Sequence, residues 1–276
     1  MFDLIIVKPL ANILFTIYAF LPGHDFGLAV ILLTALLRFA LWPVLAKQLH
    51  SQKKMQALQP EIAKLKAAAG GDKQKENTML MELYKEKEIN PLASCLPLLV
   101  QLPFLFGLYI VFNKSASGVS GFEHYLYEPV KNFSFIHSVL TDNALFIPKL
   151  FGVINLAAKG NILLALIAGI SQFIQVKQIT PKVVDKSDPN ASITQATTFL
   201  FPVITAWIGY TLIAALPLYW TISNLVSILQ QSIIMNSEVD KMEEATIVKT
   251  TVRTPEKTTK ATKAPTSAPK KRKKGK

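Results

Sequence analysis

A stretch of 21 residues with a single charge sets the strongest limit on how this chain folds. The stretch, Phe26–Ala46, is apolar almost throughout, and Arg38 is its one charged residue. As a helix rising about 1.5 Å per residue it measures about 31 Å, enough to cross the hydrocarbon core of a bilayer. An arginine inside such a span costs about 2.5–3.5 kcal/mol to insert, so we expect the protein to use the charge.

Four more apolar blocks follow along the chain. They lie at about 93–112, 158–178, 197–214 and 217–235. The last two form one run about twice as long as a single span, and small residues and a proline favour a turn near Ile213–Pro217. We therefore predict an all-α polytopic membrane protein whose residues 26–235 form a core of five transmembrane helices.

Residues typical of catalysis or metal binding are few and scattered. Half of the residues are apolar, Cys95 is the single cysteine, and the four histidines lack the spacing of metal ligands. The spans contain no nucleophile paired with a base, no HExxH sequence and no glycine loop for phosphate. We therefore expect no enzyme activity, no cofactor and no metal site.

Two segments outside the spans are apolar but interrupted. Residues 1–22 share an apolar helical face, with Pro9 and Asn12 as interruptions, which favours an amphipathic interfacial helix over an uncleaved signal-like segment. The segment 114–157 is expected on the outer side of the membrane. Because Pro148 and Lys149 interrupt its apolar end, we predict an interfacial or partly re-entrant helix there rather than a sixth span.

Charged residues are concentrated in two other segments. Residues 51–88 have helical periodicity on both sides of Gly70-Gly71, which predicts a charged helical hairpin projecting from the membrane. Residues 236–276 have the composition of a disordered basic tail. Its most basic run suits ribosomal RNA or anionic lipid, and a general positive-inside anchor is the alternative. That run consists of Lys270, Lys271, Arg272, Lys273 and Lys274.

The distribution of basic residues predicts the orientation. With the amino terminus outside and the carboxyl terminus inside, 24 Lys and Arg residues lie on the cytoplasmic side and five on the outer side. Positive residues are enriched in cytoplasmic loops of membrane proteins. An odd number of spans agrees with this arrangement, so we expect a multi-pass protein of a cytoplasmic membrane.

Polar side chains recur within the predicted spans. Thr34 lies four residues before Arg38 and therefore on the same helical face, and a polar stripe follows one face of the fifth span. That stripe consists of Thr221, Asn224, Ser227 and Gln231. Hydrogen bonds between helices would explain such residues one by one. Because the spans contain no Asp or Glu to pair with Arg38, a shared hydrated cavity explains the set better.

Three sequence motifs together resemble the YidC/Oxa family of membrane protein insertases. They are MQALQPEIAKLK (Met55–Lys66), LYKEKEINPLASCLPLLVQLPFLFGLY (Leu83–Tyr109) and PLYWTISNLVSILQQ (Pro217–Gln231). They occur in the order expected for the family, over residues 2–235. The resemblance implies five helices around a hydrophilic groove that opens to the cytoplasm and to lipid, and a single arginine in the groove. Arg38, within LTALLRFALWP, falls on that position.

The resemblance also implies a function and a set of groove residues. The chain would act as an insertase and chaperone, moving short polar termini across the membrane and releasing the hydrophobic helices of nascent proteins into lipid. The implied groove residues are Arg38, Thr34, Gln101, Gln172, Tyr219, Trp220 and Asn224. The implied partners are nascent membrane proteins, the ribosome through the basic tail, the Sec translocon and anionic lipids, with a monomer sufficient.

Two other functions stay open at this point. A small anion channel or transporter could use Arg38 as its anion site, although the chain has no inverted repeat of its first half. The second open function is that of a chaperone that only assembles helices already inserted by a translocon. The sequence also departs from the family pattern before the fifth span, where it reads AALP instead of a proline, a small residue and a glycine.

Overall fold

The computed structural model describes residues 1–87, 96–180 and 189–252. The chain divides into two units, Met1–Asn236 and Ser237–Lys276. Of the second unit, the structure describes only the helical residues 237–252. The basic run at 270–274 therefore lies outside the described residues.

The chain begins with a continuous apolar helical segment. A π-helical turn, Asp3–Val7, leads directly into helix α1, Lys8–Phe20. Together they are long and apolar enough to cross a membrane, by length and composition. The interfacial position expected for this segment stays a prediction. A short 3-10 turn, Pro22–His24, with Gly23 at φ 75°, then reverses the chain.

The predicted first span is bent into two helices. Helix α2 covers Phe26–Ala40 and begins where the Asp25 carboxylate accepts a hydrogen bond from the Leu28 amide at 2.8 Å. Helix α3 covers Trp42–Ala57, and the two helices meet at an angle of 59°. Pro43 lies just after the bend; proline has no amide hydrogen, and its ring conflicts with the carbonyl four residues earlier.

Two short helices lie where the sequence predicts a hairpin. Helix α4 covers Gln59–Ala69 and helix α5 covers Lys73–Glu86. Gly70 and Gly71 join them with φ of 63° and 90°, a backbone conformation that glycine adopts without steric cost. The pair has its own small apolar core, formed by Leu58, Ile62 and Leu83.

A long connection follows helix α6, Leu96–Ala116. It contains three short helices and two strands, with 3-10 turns at Glu123–Tyr125 and Asn143–Leu145. These are α7 (Val119–Phe122), α8 (Glu128–Lys131), α9 (Ser134–Thr141), β1 (Lys149–Leu150) and β2 (Ile154–Asn155). The short antiparallel hairpin is a correction, because an interfacial helix was expected there. Pro148 cannot donate a helical hydrogen bond, and Phe151 and Gly152 form the turn with φ of 51° and 69°.

Three helices complete the described chain. They are α10 (Ile162–Ile179), α11 (Pro189–Thr211) and α12 (Ala215–Val252). The α11–α12 turn is held by the preceding connection, since the amides of Ala214 and Ala215 donate to the carbonyls of Ala158 and Leu156 at 2.8 and 3.0 Å. The AALP sequence therefore forms a buried, hydrogen-bonded turn. Helix α12 extends to Val252, so its end covers part of the segment expected to be a disordered tail.

The helical membrane-protein class is confirmed at a coarse level. Within the described ranges, two helical segments, Asp3–Phe20 and Ile162–Ile179, are long and apolar enough to cross a membrane. The bent α2–α3 pair makes a third if it counts as one span. The total of five spans and the groove between them stay predictions.

The main apolar core lies at one end of the bundle. We call this end, which carries the connection 117–161, the loop side, and the end that carries α3–α5 the hairpin side. At the loop side, Phe15 stacks on Phe122 with ring centroids 4.1 Å apart, and Tyr18, Phe26 and Phe146 pack edge-on or tilted around them. The last half of α1 and the start of α2 are thereby fixed to the connection.

Candidate functional site

The guanidinium group of Arg38 is held by a hydroxyl group of another helix. Near the end of α2, its Nε donates to Ser223 Oγ of α12 at 2.8 Å, and one terminal nitrogen donates to the same oxygen. Ser223 is 2% exposed. The side-chain amide of Gln230, two turns further along α12, donates to the Arg38 carbonyl at 3.1 Å. The end of α2 is therefore joined to α12 by neutral polar groups.

A third helix joins the same region through Tyr219. Gln101 of α6 donates from its amide to the Tyr219 hydroxyl, and Tyr219 lies one helical turn before Ser223 on α12. We call Arg38, Gln101, Tyr219 and Ser223 the arginine cluster. The cluster brings side chains of α2, α6 and α12 together at the hairpin side of the apolar core.

Helices α10 and α12 meet through a second set of polar contacts. The Asn224 amide donates to Ser171 Oγ at 3.0 Å, and the Gln178 amide donates to Ser232 Oγ at 2.8 Å. Both contacts pair an amide donor with a hydroxyl acceptor across the two helices. Helix α10 also lies close to α11. Gly169 permits this approach, because a Cβ atom at that position would lie only 2.9 Å from the Cβ of Ala206.

The remaining predicted groove residues do not join either set of contacts. Thr34 is buried, and its hydroxyl donates to the Val30 carbonyl on its own helix at 2.7 Å. Gln172 donates to Gln175, also on its own helix, at 3.3 Å. Trp220 is half-buried and packs against the apolar core. The structure therefore brings together Arg38, Gln101 and Tyr219 but not the full predicted set.

Several side-chain amide atoms at the hairpin side are buried without a hydrogen-bond partner among the described residues. Both side-chain polar atoms of Gln48 are in this state, as are the Oε1 atoms of Gln178 and Gln231. A buried amide left without a partner costs about 1–3 kcal/mol. Water is the simplest partner for such groups where space allows. These side chains therefore favour a hydrated interior.

Sequence reasoning missed Ser223, Gln230 and Gln48. The polar stripe predicted on α12 follows Thr221, Asn224, Ser227 and Gln231, whereas Arg38 contacts Ser223 on the adjacent face. Ser223, Ser227 and Gln230 also recur at helical spacing, so Ser227 fits both series and the spacing alone does not choose between them. Gln48 gave no signal, because it follows the predicted span in a charged region.

Apolar helices, two of them long enough to cross a membrane, and polar contacts between helices are typical of a helical membrane protein. Residues 17–242 match the sequence model of the family described as 60Kd inner membrane protein. The chain therefore belongs to this family, that of the YidC/Oxa proteins. The resemblance found in the motifs is thereby confirmed.

The similar proteins are named membrane protein insertase YidC. One from Fusobacterium nucleatum is 36% identical over 211 residues, which cover 76% of this chain and 86% of the relative. One from Vesicomyosocius okutanii is 36% identical over 231 residues, covering 83% of this chain and 36% of the relative. One from Anaeromyxobacter is 33% identical over 212 residues, covering 76% of this chain and 33% of the relative. The chain thus spans about a third of the length of several relatives that it matches.

Proposed function

We propose that this protein is a membrane protein insertase and chaperone that moves short polar termini of nascent proteins across a cytoplasmic membrane. The observation that carries the proposal is the arginine cluster, a cation held by neutral groups on the polar side of a helical bundle. The insertase names of the relatives support the same function. They give no support to the alternative of an anion channel.

The neutral partners of Arg38 matter for the mechanism. A carboxylate partner would cancel the charge, whereas the Ser223 hydroxyl fixes the position of the guanidinium and leaves it positive. In an interior less polar than water, that charge attracts an anionic group more strongly than it would in solution. An acidic residue in the terminus of a substrate is such a group.

Insertion then needs no nucleotide. A hydrated groove lined by Arg38, Gln101 and Asn224 would lower the cost of moving a short polar terminus part of the way across. The apolar helix of the substrate would leave the groove past Tyr219 and Trp220 into lipid. Its transfer from water into hydrocarbon yields about 0.8 kcal/mol per CH₂ group and drives the step.

The orientation and partners form part of the proposal. The excess of basic residues on the hairpin side favours the amino terminus outside and the carboxyl terminus inside. The basic residues at 270–274 would bind ribosomal RNA or anionic lipid, and the Sec translocon would be a further partner. Ribosome co-sedimentation that weakens with salt and on deletion of residues 253–276 is the expected result. Unchanged co-sedimentation would instead favour the alternative that the tail is a general positive-inside anchor.

The central experiment tests the charge of Arg38. Full-length protein is reconstituted in liposomes with a single-span substrate that has either an acidic or a neutral translocated terminus. We expect Arg38→Ala to slow insertion of the acidic substrate about tenfold, the effect of about 1.4 kcal/mol in the barrier. Arg38→Lys should retain most of the rate, and the neutral substrate should respond weakly to either change.

Two outcomes would contradict the proposal. Equal insertion rates for wild type, Arg38→Ala and Arg38→Lys would remove the charge-attraction role. Chloride flux through the same liposomes that depends on Arg38, without substrate insertion, would favour the anion channel. Insertion in liposomes that contain no translocon separates an insertase from a chaperone that acts only after insertion.

A further inference from the structure

Helix α3 has an exposed face that changes from apolar to cationic along its length. Pro43 and Val44 are exposed at its start, and Lys47 and Lys54 are exposed on the same side. Lys47 and Lys54 are seven residues apart, two helical turns, so their side chains leave the same face. Helix α3 contains no Asp or Glu from Trp42 to Ala57.

Two lysines at the neighbouring hairpin lie close to carboxylates. Lys66 lies 3.9 Å from Glu76, and Lys87 lies 3.4 Å from Glu61. Carboxylates of the hairpin thus face these two lysines, whereas α3 has no carboxylate along its own length. The exposed face of α3 therefore carries an excess of positive charge, at the end of the helix pair that follows Arg38.

The start of α3 is at the boundary of the membrane if the bent α2–α3 pair crosses it as one span. Phe39, exposed on α2, stacks on Trp42 of α3 with ring centroids 6.0 Å apart and planes within 7° of each other. Tryptophan, which has an amphipathic ring, is enriched at the level of the lipid headgroups. The bend of 59° between the helices then inclines α3 by about 31° to the membrane surface when α2 is upright.

This inclination keeps the cationic face close to the headgroups. Lys47 and Lys54 lie about 7.5 and 18 Å along the axis beyond Trp42, which raises them only about 4 and 9 Å above it. The headgroup layer is about 5–8 Å deep on each side, and the field of an anionic surface extends about another Debye length of 8–10 Å. Both ammonium groups lie within that range.

We infer that the exposed face of α3 formed by Pro43, Val44, Lys47 and Lys54 binds the headgroups of anionic phospholipids at the membrane surface. Pro43 and Val44 contact the acyl chains nearest the interface, and the two lysines contact phosphate groups. The inference depends on the bent α2–α3 pair crossing the membrane as one span and is independent of the insertion activity. It concerns a different part of the chain from the basic tail.

The test measures which lipid surrounds Trp42 in the full-length protein. Trp207→Phe and Trp220→Phe leave Trp42 as the only tryptophan. The protein is reconstituted in bilayers of 70% phosphatidylcholine and 30% phosphatidylglycerol, in which one of the two lipids carries brominated chains that quench nearby tryptophan. We expect phosphatidylglycerol to be enriched about fivefold around Trp42, the effect usual for one lysine near an anionic surface.

Two matched pairs of substitutions locate the effect. The double substitution Lys47→Gln and Lys54→Gln should abolish the enrichment of phosphatidylglycerol around Trp42. Brominated phosphatidylcholine should still quench Trp42, which shows that the residue remains in the bilayer. Lys73→Gln with Lys75→Gln, at exposed positions of α5, should leave the enrichment unchanged. No enrichment in the starting protein, enrichment that survives the first pair, or no quenching of Trp42 by either lipid would each overturn the inference.

Discussion

The two ends of the helical bundle are held by different kinds of contact. At the loop side, stacked aromatic rings lie between α1, α2 and the connection 117–161. At the hairpin side, hydroxyl and amide groups join α2, α6, α10 and α12. The contrast exists within a single helix. Phe26 at the start of α2 is buried among aromatic rings, and Arg38 near its end contacts a serine of α12.

The two regions also treat buried polar groups differently. At the loop side, the Asn12 amide donates to the carbonyls of Lys8 and Tyr125 at 2.7 and 2.9 Å, and its oxygen accepts from the Tyr127 amide at 2.7 Å. Every polar atom of that side chain therefore has a partner. At the hairpin side, Gln48 and Gln231 are buried with amide atoms that lack one among the described residues. The loop side satisfies the polar atoms of Asn12 within the protein, whereas the hairpin side leaves several buried amide atoms without a partner among the described residues.

The largest expected effect on stability is at the centre of the aromatic core. Phe15 is fully buried and stacked on Phe122, so Phe15→Ala removes a large apolar side chain and leaves a cavity. We expect a loss of about 3–5 kcal/mol in the free energy of unfolding, measured by denaturant titration in detergent micelles.

Phe106→Ala is the matched control for this substitution. Phe106 lies on α6 and is 56% exposed, so the same change of side chain removes far fewer protein contacts. We expect it to shift the unfolding free energy by less than about 1 kcal/mol. Equal losses for the two variants would show that the loop side is not the main source of stability.

A smaller loss is expected from the buried asparagine that joins α1 to the connection. Asn12→Ala removes three hydrogen bonds and leaves two carbonyls and an amide without their partner. We expect a loss of about 1–3 kcal/mol in the same titration. Asn113→Ala, at an exposed position of α6, is the control and should be nearly neutral. A neutral Asn12→Ala would mean that water replaces all three contacts.

Much of the helical architecture was predictable because it depends on local sequence. Apolar blocks of membrane length gave the approximate positions of α2, α6 and α10–α12. Asp25, Asp72 and Asn161 each accept an amide hydrogen bond at the start of a helix, as N-cap residues of these types do. The turn between α4 and α5 was also predictable from local sequence, because Gly70 and Gly71 adopt the positive φ that the turn requires.

Features that depend on distant contacts were not predictable in this way. The bend at Leu41 is a different case: Pro43 gave a local signal, but the long apolar stretch favoured a single straight span. Ser223 is 185 residues from Arg38 in the sequence, and no periodicity indicates which face of α12 meets α2. Asn12 was predicted as an interruption of an apolar face, whereas its partners at Tyr125 and Tyr127 make it a buried contact.

The smallest expected effect is the coupling between α10 and α12 at the hairpin side. The Asn224 amide donates to Ser171 Oγ at 3.0 Å, and both side chains are buried. In a bilayer such a contact contributes about 0.6 kcal/mol, because each group finds other polar partners when it is broken. We expect the double-mutant cycle of Asn224→Ala and Ser171→Ala to give a coupling of that size in the unfolding free energy.

A coupling well above this value would alter the comparison between the two regions. It would mean that α10 and α12 are locked together as firmly as the loop side, and that a substrate helix could not part them at little cost. A coupling near about 0.6 kcal/mol fits a contact that could open and close during the proposed insertion. The pair Gln178 and Ser232, 2.8 Å apart on the same two helices, provides an independent second cycle. Agreement of the two cycles near about 0.6 kcal/mol would show that α10 and α12 are weakly held together at both contacts.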